Sequence, residues 1–341
     1  MKKVLLAVVG ILFAATSFSQ NEMVASLSHG EDVTYYYGVN AFKQALAKAV
    51  SGDIINLSGG TFDATETTIS AGITLRGAGI DSDNPTYLIR NTSSGDEKYC
   101  LFIDIPSSDT NQFTMEGIRC QNTVRLTGTY NNPYFVKCQF VNLINDKGND
   151  AVTNIMIANC KITGDYHMGG TCSANIINSY VALGAAYESS TITAVNCVIS
   201  REYYFNDFHR GDFTNCIFYN TYNGYNNCNP LSVDNKTTNC VGVSVSRDIF
   251  ENVKSRTNCP GTQYNASDVF ADYAGTYSDD QTFELKSEFK AAFKGTDGKE
   301  IGLYGGLQPY NSTPSYPLIT KMEVGEKTNE TGQLSVEIEV K

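Results

Sequence analysis

The stretch 191–200 reads TITAVNCVIS, and the stretch 211–220 reads GDFTNCIFYN. In both, apolar and polar residues alternate up to an Asn-Cys pair, and the alternation starts again after the pair. Alternation over four to five residues is typical of a short strand with one buried face. Asparagine tolerates the left-handed backbone conformation of a tight bend and can hydrogen-bond the neighbouring backbone. Each stretch therefore predicts two short strands joined by a bend at asparagine.

The same pair position returns about every twenty residues, a period typical of a solenoid. This period is too short for a strand–helix–strand crossover. We therefore expect three short strands and three turns in each coil, with coils stacked about 4.8 Å apart into three parallel sheets. The nine pairs of this ladder are Tyr99-Cys100, Arg119-Cys120, Lys137-Cys138, Asn159-Cys160, Asn178-Ser179, Asn196-Cys197, Asn215-Cys216, Asn239-Cys240 and Asn258-Cys259.

The beginning of the chain predicts export. Lys2 and Lys3 precede an apolar run over 4–13, and 17–19 reads SFS, which together are typical of a secretory signal peptide cleaved after Ser19. We expect a secreted, periplasmic or cell-surface protein, without a membrane span, because the apolar run is too short to cross a bilayer. The formal net charge of −11 argues against nucleic acid as a partner. We expect a monomer.

Ten cysteines in an exported protein would ordinarily suggest disulfides. Eight of them, however, fall on the ladder, where stacked side chains are parallel and too far apart for a disulfide. We therefore predict a column of buried free thiols, with Cys172 and Cys228 as the better candidates for a bond. Because no CxxC pair or Cys/His cluster is present, we expect no metal and no cofactor.

Both ends of the repeat carry further motifs. Residues 41–50 (AFKQALAKAV) have helical spacing and predict a capping helix, followed by GDIINL at 52–57 and GTF at 60–62. This opening, the asparagine bends and the segment 283–306 resemble the pectate-lyase-like right-handed parallel β-helix superfamily. The resemblance implies an all-β, right-handed parallel β-helix solenoid with an N-terminal capping helix and a small C-terminal β tail. The expected organisation is 1–19 signal peptide, 20–50 cap, 51–306 β-helix with its closing segment, and 307–341 linker and β-hairpin.

In enzymes of the superfamily that this chain resembles, substrate lies along the first strand after the ladder and its flanking turns. Tyrosine, histidine, arginine and acidic residues gather about seven positions after the ladder cysteine, and such side chains suit a polysaccharide or cell-surface glycan. The predicted catalytic residues are His167, Arg201, Tyr204 and Glu188. The predicted substrate-binding residues are Tyr187, His209, Arg210 and Lys147.

Three functions remain open at this point. A polysaccharide lyase needs a base and a cation that neutralises the substrate carboxylate, for which Arg201 or Arg210 with His167, Tyr204 or Lys147 would serve. A glycoside hydrolase needs two carboxylates across a groove, and Asp165, Glu188 and Asp207 are available. The third possibility is a non-catalytic surface, adhesion or structural protein, in which these are solvated turn residues. The abundant tyrosines are compatible with sugar platforms or with stacking between coils.

Overall fold

The computed structural model describes residues 23–90, 99–145, 151–186, 190–201, 210–221, 229–276, 278, 280–317, 319–328 and 334–340. Over these residues the chain is an all-β parallel solenoid with a capping helix and a β tail, which confirms the predicted fold class. The predicted signal peptide, Cys228 and several predicted site residues lie outside the described residues.

Most strands are only three to five residues long, as the alternating stretches predict. In chain order they are β1 (Val24–His29), β2 (Asp32–Tyr37), β3 (Ile54–Leu57), β4 (Gly60–Asp63), β5 (Thr67–Ile69), β6 (Thr74–Arg76), β7 (Thr86–Ile89), β8 (Tyr99–Ile103), β9 (Thr114–Glu116), β10 (Ile118–Leu126), β11 (Thr129–Asn131), β12 (Tyr134–Val136), β13 (Gln139–Asn145), β14 (Ala151–Thr153), β15 (Ile155–Ala158), β16 (Lys161–Met168), β17 (Ser173–Ile177), β18 (Tyr180–Ala186), β19 (Thr191–Val195), β20 (Val198–Arg201), β21 (Gly211–Thr214), β22 (Ile217–Asn220), β23 (Lys236–Thr238), β24 (Val241–Val243), β25 (Ser255–Thr257), β26 (Gln263–Tyr264), β27 (Ile319–Thr328) and β28 (Leu334–Val340).

Two long sheets form the body of the solenoid. The first sheet has the order β2-β1-β3-β6-β9-β12-β15-β17-β19-β21-β23-β25. The second sheet has the order β26-β24-β22-β20-β18-β16-β13-β10-β7-β4, with β8 paired to β10 and β5 paired to β8. The strands of successive coils are parallel within both sheets, for example β16 with β18 and β19 with β21. Successive coils thus stack strand on strand, and the inward side chains of both sheets share one core.

The second sheet contains the strands of two sides of the coil. In β10, residues 118–120 pair with β7, whereas residues 123–126 pair with β8, on either side of a register shift. Strands β13 and β16 continue both parts, with a register shift between them. The predicted three strands per coil are therefore present in this part of the solenoid, but two of the three predicted sheets are joined into one. The pair β11–β14 is an additional small sheet where the chain passes from the second sheet to the first.

Left-handed bends, most of them at asparagine, join the strands of the first sheet from β9 onward to the following strands of the second sheet. Eight successive bend residues have φ between 46° and 70°, the left-handed region in which asparagine and glycine are best tolerated. The prediction of a bend at asparagine is therefore confirmed. These bend residues are Gly117, Lys137, Asn159, Asn178, Asn196, Asn215, Asn239 and Asn258.

The register of the strands corrects the start of the predicted ladder. Arg119 pairs with Gln139, so Ile118 rather than Cys120 stands beside Cys138. Cys120 instead pairs with Leu88 and Phe140, and Cys100 lies in β8, beside the later half of β10. Cys120 is another buried thiol and lies 18 residues before Cys138, close to the repeat of about twenty, and this coincidence explains the wrong phase. The ladder proper runs from Ile118 through six cysteines and Ser179.

The ladder cysteines are buried free thiols, as predicted. In all six the Sγ atom lies 3.3 Å from the carbonyl oxygen two residues earlier, as in Cys160 to Ala158. Ser179 fills the same position, and its hydroxyl donates to the Ile177 carbonyl at 2.8 Å. Cys172 Sγ donates to the Gly169 carbonyl at 3.1 Å; a Cys172–Cys228 bond stays a prediction because Cys228 is not described.

The N-terminal end of the solenoid is covered by a hairpin and a helix. Strand β1 pairs antiparallel with both β2 and β3. The predicted capping helix is α1 (Ala41–Leu46), which buries Phe42 and Ala45 in the core below it. The edge strand β2 exposes Tyr35 and Tyr37 by 58% and 55%. His29 contacts Asp53, with 2.7 Å between Nδ1 and Oδ1.

The C-terminal part of the chain folds back over the outside of the second sheet. Helices α2 (Ala266–Val269) and α3 (Ser287–Ala292) lie in this part. Its aromatic residues bury outward-facing side chains of the sheet: Phe283 stacks on Tyr180 at 4.5 Å, and Phe270 contacts Tyr219 at 5.3 Å between ring centroids. Tyr219, one of the abundant tyrosines for which sugar stacking was an open possibility, therefore has a packing role.

We call residues 294–317 the return segment, because they run along the asparagine bends toward the N-terminal end. Thr296 contacts Asn215, Leu303 contacts Asn178, and Asn311 contacts Asn159. Farther on, the Ser315 amide donates to Glu116 and the Tyr316 hydroxyl donates to the Gly77 carbonyl. Beyond the segment, β27 and β28 pair antiparallel as the C-terminal tail.

Candidate functional site

The clearest group of polar side chains lies on the outer face of the second sheet, at β16. In this strand Tyr166 and Met168 point into the core and are 1% exposed. Asp165 and His167 alternate with them and are partly exposed on the opposite face. The alternation of the strand thus places a carboxylate and an imidazole side by side, outside the hydrophobic core.

Arg201 reaches this group from the end of β20, two strands away. Its Nη1 donates to the carbonyl oxygens of Leu183 and Gly184 in the intervening strand β18, at 2.7 and 2.5 Å. These two hydrogen bonds anchor the guanidinium to β18, and its charge acts on Asp165 of β16. Two hydrogen bonds to backbone carbonyl oxygens fix the orientation of an arginine side chain better than a solvent-exposed ion pair does.

Gly184 makes the approach of Asp165 possible. A Cβ atom at position 184 would lie 1.7 Å from Asp165 Oδ1, well inside any van der Waals contact. The carboxylate therefore occupies the space that a side chain on β18 would fill. Asp165 and Arg201 meet at the same glycine, one over its α-carbon and the other at its carbonyl oxygen.

Burial raises the pKa of Asp165, and the nearby charges of His167 and then Arg201 oppose this rise. The net direction is upward, because removing the carboxylate from water disfavours its charged form more than the two cations favour it. An acid with a raised pKa keeps its proton at higher pH than an ordinary aspartate and is able to donate it in a reaction.

Further aromatic and basic side chains continue the face toward the N-terminal end. His167 is in register with Ile144, which is in register with Arg125. The Arg125 guanidinium lies 5.1 Å from the centre of the Tyr99 ring, a cation–π distance. Asn142, in register with Asp165, donates to the Thr123 hydroxyl at 3.0 Å. Arginine, aromatic and amide groups thus follow one another across β8, β10, β13 and β16.

The structure brings together two of the eight predicted site residues, His167 and Arg201. Arg210 lies instead at the start of a strand of the first sheet, where its carbonyl accepts from the Ile192 amide. Tyr204, Glu188, Tyr187, His209 and Lys147 lie outside the described residues, so their roles stay predictions.

Sequence reasoning missed Gly184 and Arg125, and it named Asp165 only as one of the carboxylates available to a hydrolase. Arg125 stands seven residues after Ile118, the same spacing as His167 after Cys160. If the ladder is started at Gly117-Ile118, the same seven-residue spacing predicts Arg125. No sequence pattern pointed to Gly184, because its role depends on the side chain of Asp165, which belongs to another coil.

Within the described residues no group of three or more His, Cys, Asp or Glu side chains is arranged to hold a metal ion. In the same part of the chain no helix is both long and apolar enough to cross a membrane. Comparison with known proteins gave no match: no family model fits the chain, and no curated protein or solved structure was found to be similar.

Proposed function

We propose that this protein is a secreted carbohydrate-processing solenoid that binds an acidic polysaccharide on the outer face of the second sheet and cleaves it as a lyase. The observation that carries the proposal is the convergence of Asp165, His167 and Arg201 around Gly184. Membership of the pectate-lyase-like superfamily and a right-handed winding belong to the proposal, supported by the opening at 41–62 and the asparagine bends. Residues 1–19 support export.

The substrate class follows from the charges at the site. The chain as a whole is acidic, with a net charge of −11, so its average field repels polyanions. Arg125 and Arg201 form a local exception on the described part of the sheet, with Asp165 as the one carboxylate beside them. A uronic-acid polymer offers both a carboxylate for arginine and a sugar face for Tyr99.

The three residues have complementary roles in β-elimination. Arg201 neutralises the carboxylate of the bound uronate and so acidifies the hydrogen on the adjacent C5. His167 removes that proton, and the C5–H electron pair forms a C4–C5 double bond as the C4–oxygen bond breaks. Protonated Asp165 donates its proton to the leaving oxygen. His167 then releases its proton to water and Asp165 takes one up, which restores the starting state.

A hydrolase and a binding protein are the alternatives. A hydrolase needs a second carboxylate about 5–10 Å from the first, and both candidates from the sequence, Glu188 and Asp207, lie outside the described residues. Hydrolysis would yield new reducing ends without unsaturation, whereas elimination yields both. A purely adhesive protein would bind without producing either.

The test is incubation of the mature protein with polygalacturonate, alginate and glycosaminoglycans, following ultraviolet absorbance of the new double bond and reducing ends in parallel. His167→Ala should lower kcat by about 10²–10⁴-fold, the usual contribution of a general base. Arg201→Lys should lower it by about 10²-fold, because lysine cannot keep the same fixed donors. Arg247→Lys is the matched control, since Arg247 pairs with Glu251 on the surface of a later coil. No unsaturated product from any polymer, or unchanged rates in both variants, would reject the lyase.

A further inference from the structure

A separate cleft of about 480 Å³ lies between the loop 105–113 and the small sheet β11–β14. Its floor includes the buried side chains of Ile105, Phe113 and Tyr130. The Tyr130 hydroxyl donates to the Ile103 carbonyl, so this ring is fixed in place. The cleft spans successive coils and shares no lining residue with the group around Asp165.

Three of the side-chain amides that line the cleft are fixed by hydrogen bonds. In each of them only one of the two polar atoms, the nitrogen or the oxygen, is hydrogen-bonded to a described residue. Asn111 Nδ2 donates to Ser51 at 2.8 Å, and Gln112 Nε2 donates to the Asn132 carbonyl at 2.9 Å. Asn131 Oδ1 accepts from Thr153 and Asn154, at 2.9 and 2.7 Å. The opposite ends, Asn111 Oδ1, Gln112 Oε1 and Asn131 Nδ2, have no protein partner among the described residues. Two acceptors and one donor are thereby oriented before any ligand binds.

The charge of the cleft disfavours ionic ligands. Among the described lining residues there is no lysine or arginine to hold an anion. Asp109 is the only carboxylate among these described lining residues. Both its oxygens are already engaged: Oδ1 by the Ser51 hydroxyl and the Asn111 backbone N–H, and Oδ2 by the Gly72 backbone N–H. A single, satisfied carboxylate does not provide the oxygen cluster that a divalent cation requires.

We propose that this cleft is a second binding site, for a neutral saccharide chain. Oriented amides and hydroxyls match sugar hydroxyls, which both donate and accept, and the buried floor excludes water beneath the ring. The neighbouring residue Thr129 adds a hydroxyl on the sheet side. Gly72 keeps the loop in position, because a Cβ there would lie 2.1 Å from the Asn111 carbonyl oxygen. This proposal does not depend on the lyase activity.

The test uses neutral hexasaccharides as probes, namely cellohexaose, xylohexaose, mannohexaose and maltohexaose, with binding measured by calorimetry and by NMR shifts. The double variant Gln112→Ala/Asn131→Ala removes two of the oriented amides, and Thr129→Trp fills the cleft while keeping them. Asn175→Ala is the matched control, an amide on the outer face of the first sheet. Circular dichroism and the unfolding temperature of each variant check that the solenoid is intact.

We expect at least one hexasaccharide to bind with a Kd near or below about 1 mM, a range accessible to a few neutral hydrogen bonds. Binding should weaken by about tenfold or more in the double variant and in Thr129→Trp, and it should not change in Asn175→Ala. Binding should also persist in His167→Ala, which separates this site from the lyase. If no probe binds, or if both cleft variants bind as the wild type does, the cleft is not a saccharide site.

Discussion

The Oδ1 atom of Asp165 lies 1.7 Å from the point where a Cβ of residue 184 would stand. This relationship joins two coils of the solenoid, since Asp165 belongs to β16 and Gly184 to β18. It also links the packing of the sheet to the proposed chemistry, because Arg201 binds the carbonyl of the same glycine.

Substitution of Gly184 by alanine should therefore displace the carboxylate. The added methyl group overlaps Asp165, and overpacking of this kind costs about 1–3 kcal/mol of stability. We expect a lower free energy of unfolding, measured in urea, and loss of activity on an acidic polysaccharide. In the double variant Asp165→Ala/Gly184→Ala the clash is absent, so most of the stability should return while activity stays low. Equal losses in the single and double variants would contradict the placement of Asp165 over Gly184.

The raised pKa of Asp165 makes a distinct prediction for pH. The folded state holds this proton more tightly than the unfolded state, so the contribution to stability is fully present below the ordinary aspartate pKa. It is lost as pH rises from there through the raised folded pKa. Asp165→Asn, which stays neutral, should match the wild type at low pH and become the more stable protein as pH rises. Thermal unfolding of both proteins across the acidic range measures this difference.

A control for the pH series is Asp212→Asn. Asp212 lies on the surface of the first sheet, where Lys236 is 3.6 Å away, so it shares the chemistry of the substitution without the burial. A wild-type protein that gains stability relative to Asp165→Asn as pH rises would reverse the assigned direction of the pKa shift.

The buried thiols should react very little until the protein unfolds. Burial raises the pKa of the ladder thiols Cys138 and Cys216 well above the usual range, and it raises the pKa of Cys100, which lies outside the ladder, to about 12, so little reactive thiolate forms at these three. In a Cys228→Ser background, the native protein should show almost no reaction with a thiol-specific reagent at neutral pH. In denaturant all nine remaining cysteines of the original ten should react. Rapid labelling of the native protein would mean that the column is open to solvent.

The sequence predicted the parts of the fold that depend on local chemistry. Asn159 and Asn196 predict a left-handed bend because few other residues tolerate one. The spacing between Asn-Cys pairs gives the number of residues in each coil. The phase at the N-terminal end was wrong because Cys120 is also buried and lies close to the expected spacing. The bend there uses Gly117 followed by Ile118, a pair with no resemblance to Asn-Cys.

Contacts between segments that are distant in the chain could not be predicted from the sequence. The site depends on Gly184 accepting a carboxylate from β16, and on Arg201 crossing β18, and neither contact follows from alternation within one strand. The return segment is a second example, since nothing in residues 294–317 indicates that they lie along the bends. His167 and Arg201 were found only because they fall on a face whose position follows from the coil repeat.

The return segment gives the last prediction. Asn178 is 2% exposed, and its Nδ2 donates to the carbonyls of Leu303 and Gly305 at 2.7 and 2.8 Å. Asn178→Gly keeps the bend, whose φ is 46°, and removes only the amide. Because two buried carbonyls lose their donor, we expect a loss of about 1–3 kcal/mol in the free energy of unfolding and faster proteolysis near the return segment. Asn258→Gly, at an exposed bend with φ of 50°, is the control and should cost much less. Equal costs for the two variants would show that the bends, and not the contacts of the return segment, set the stability of this edge.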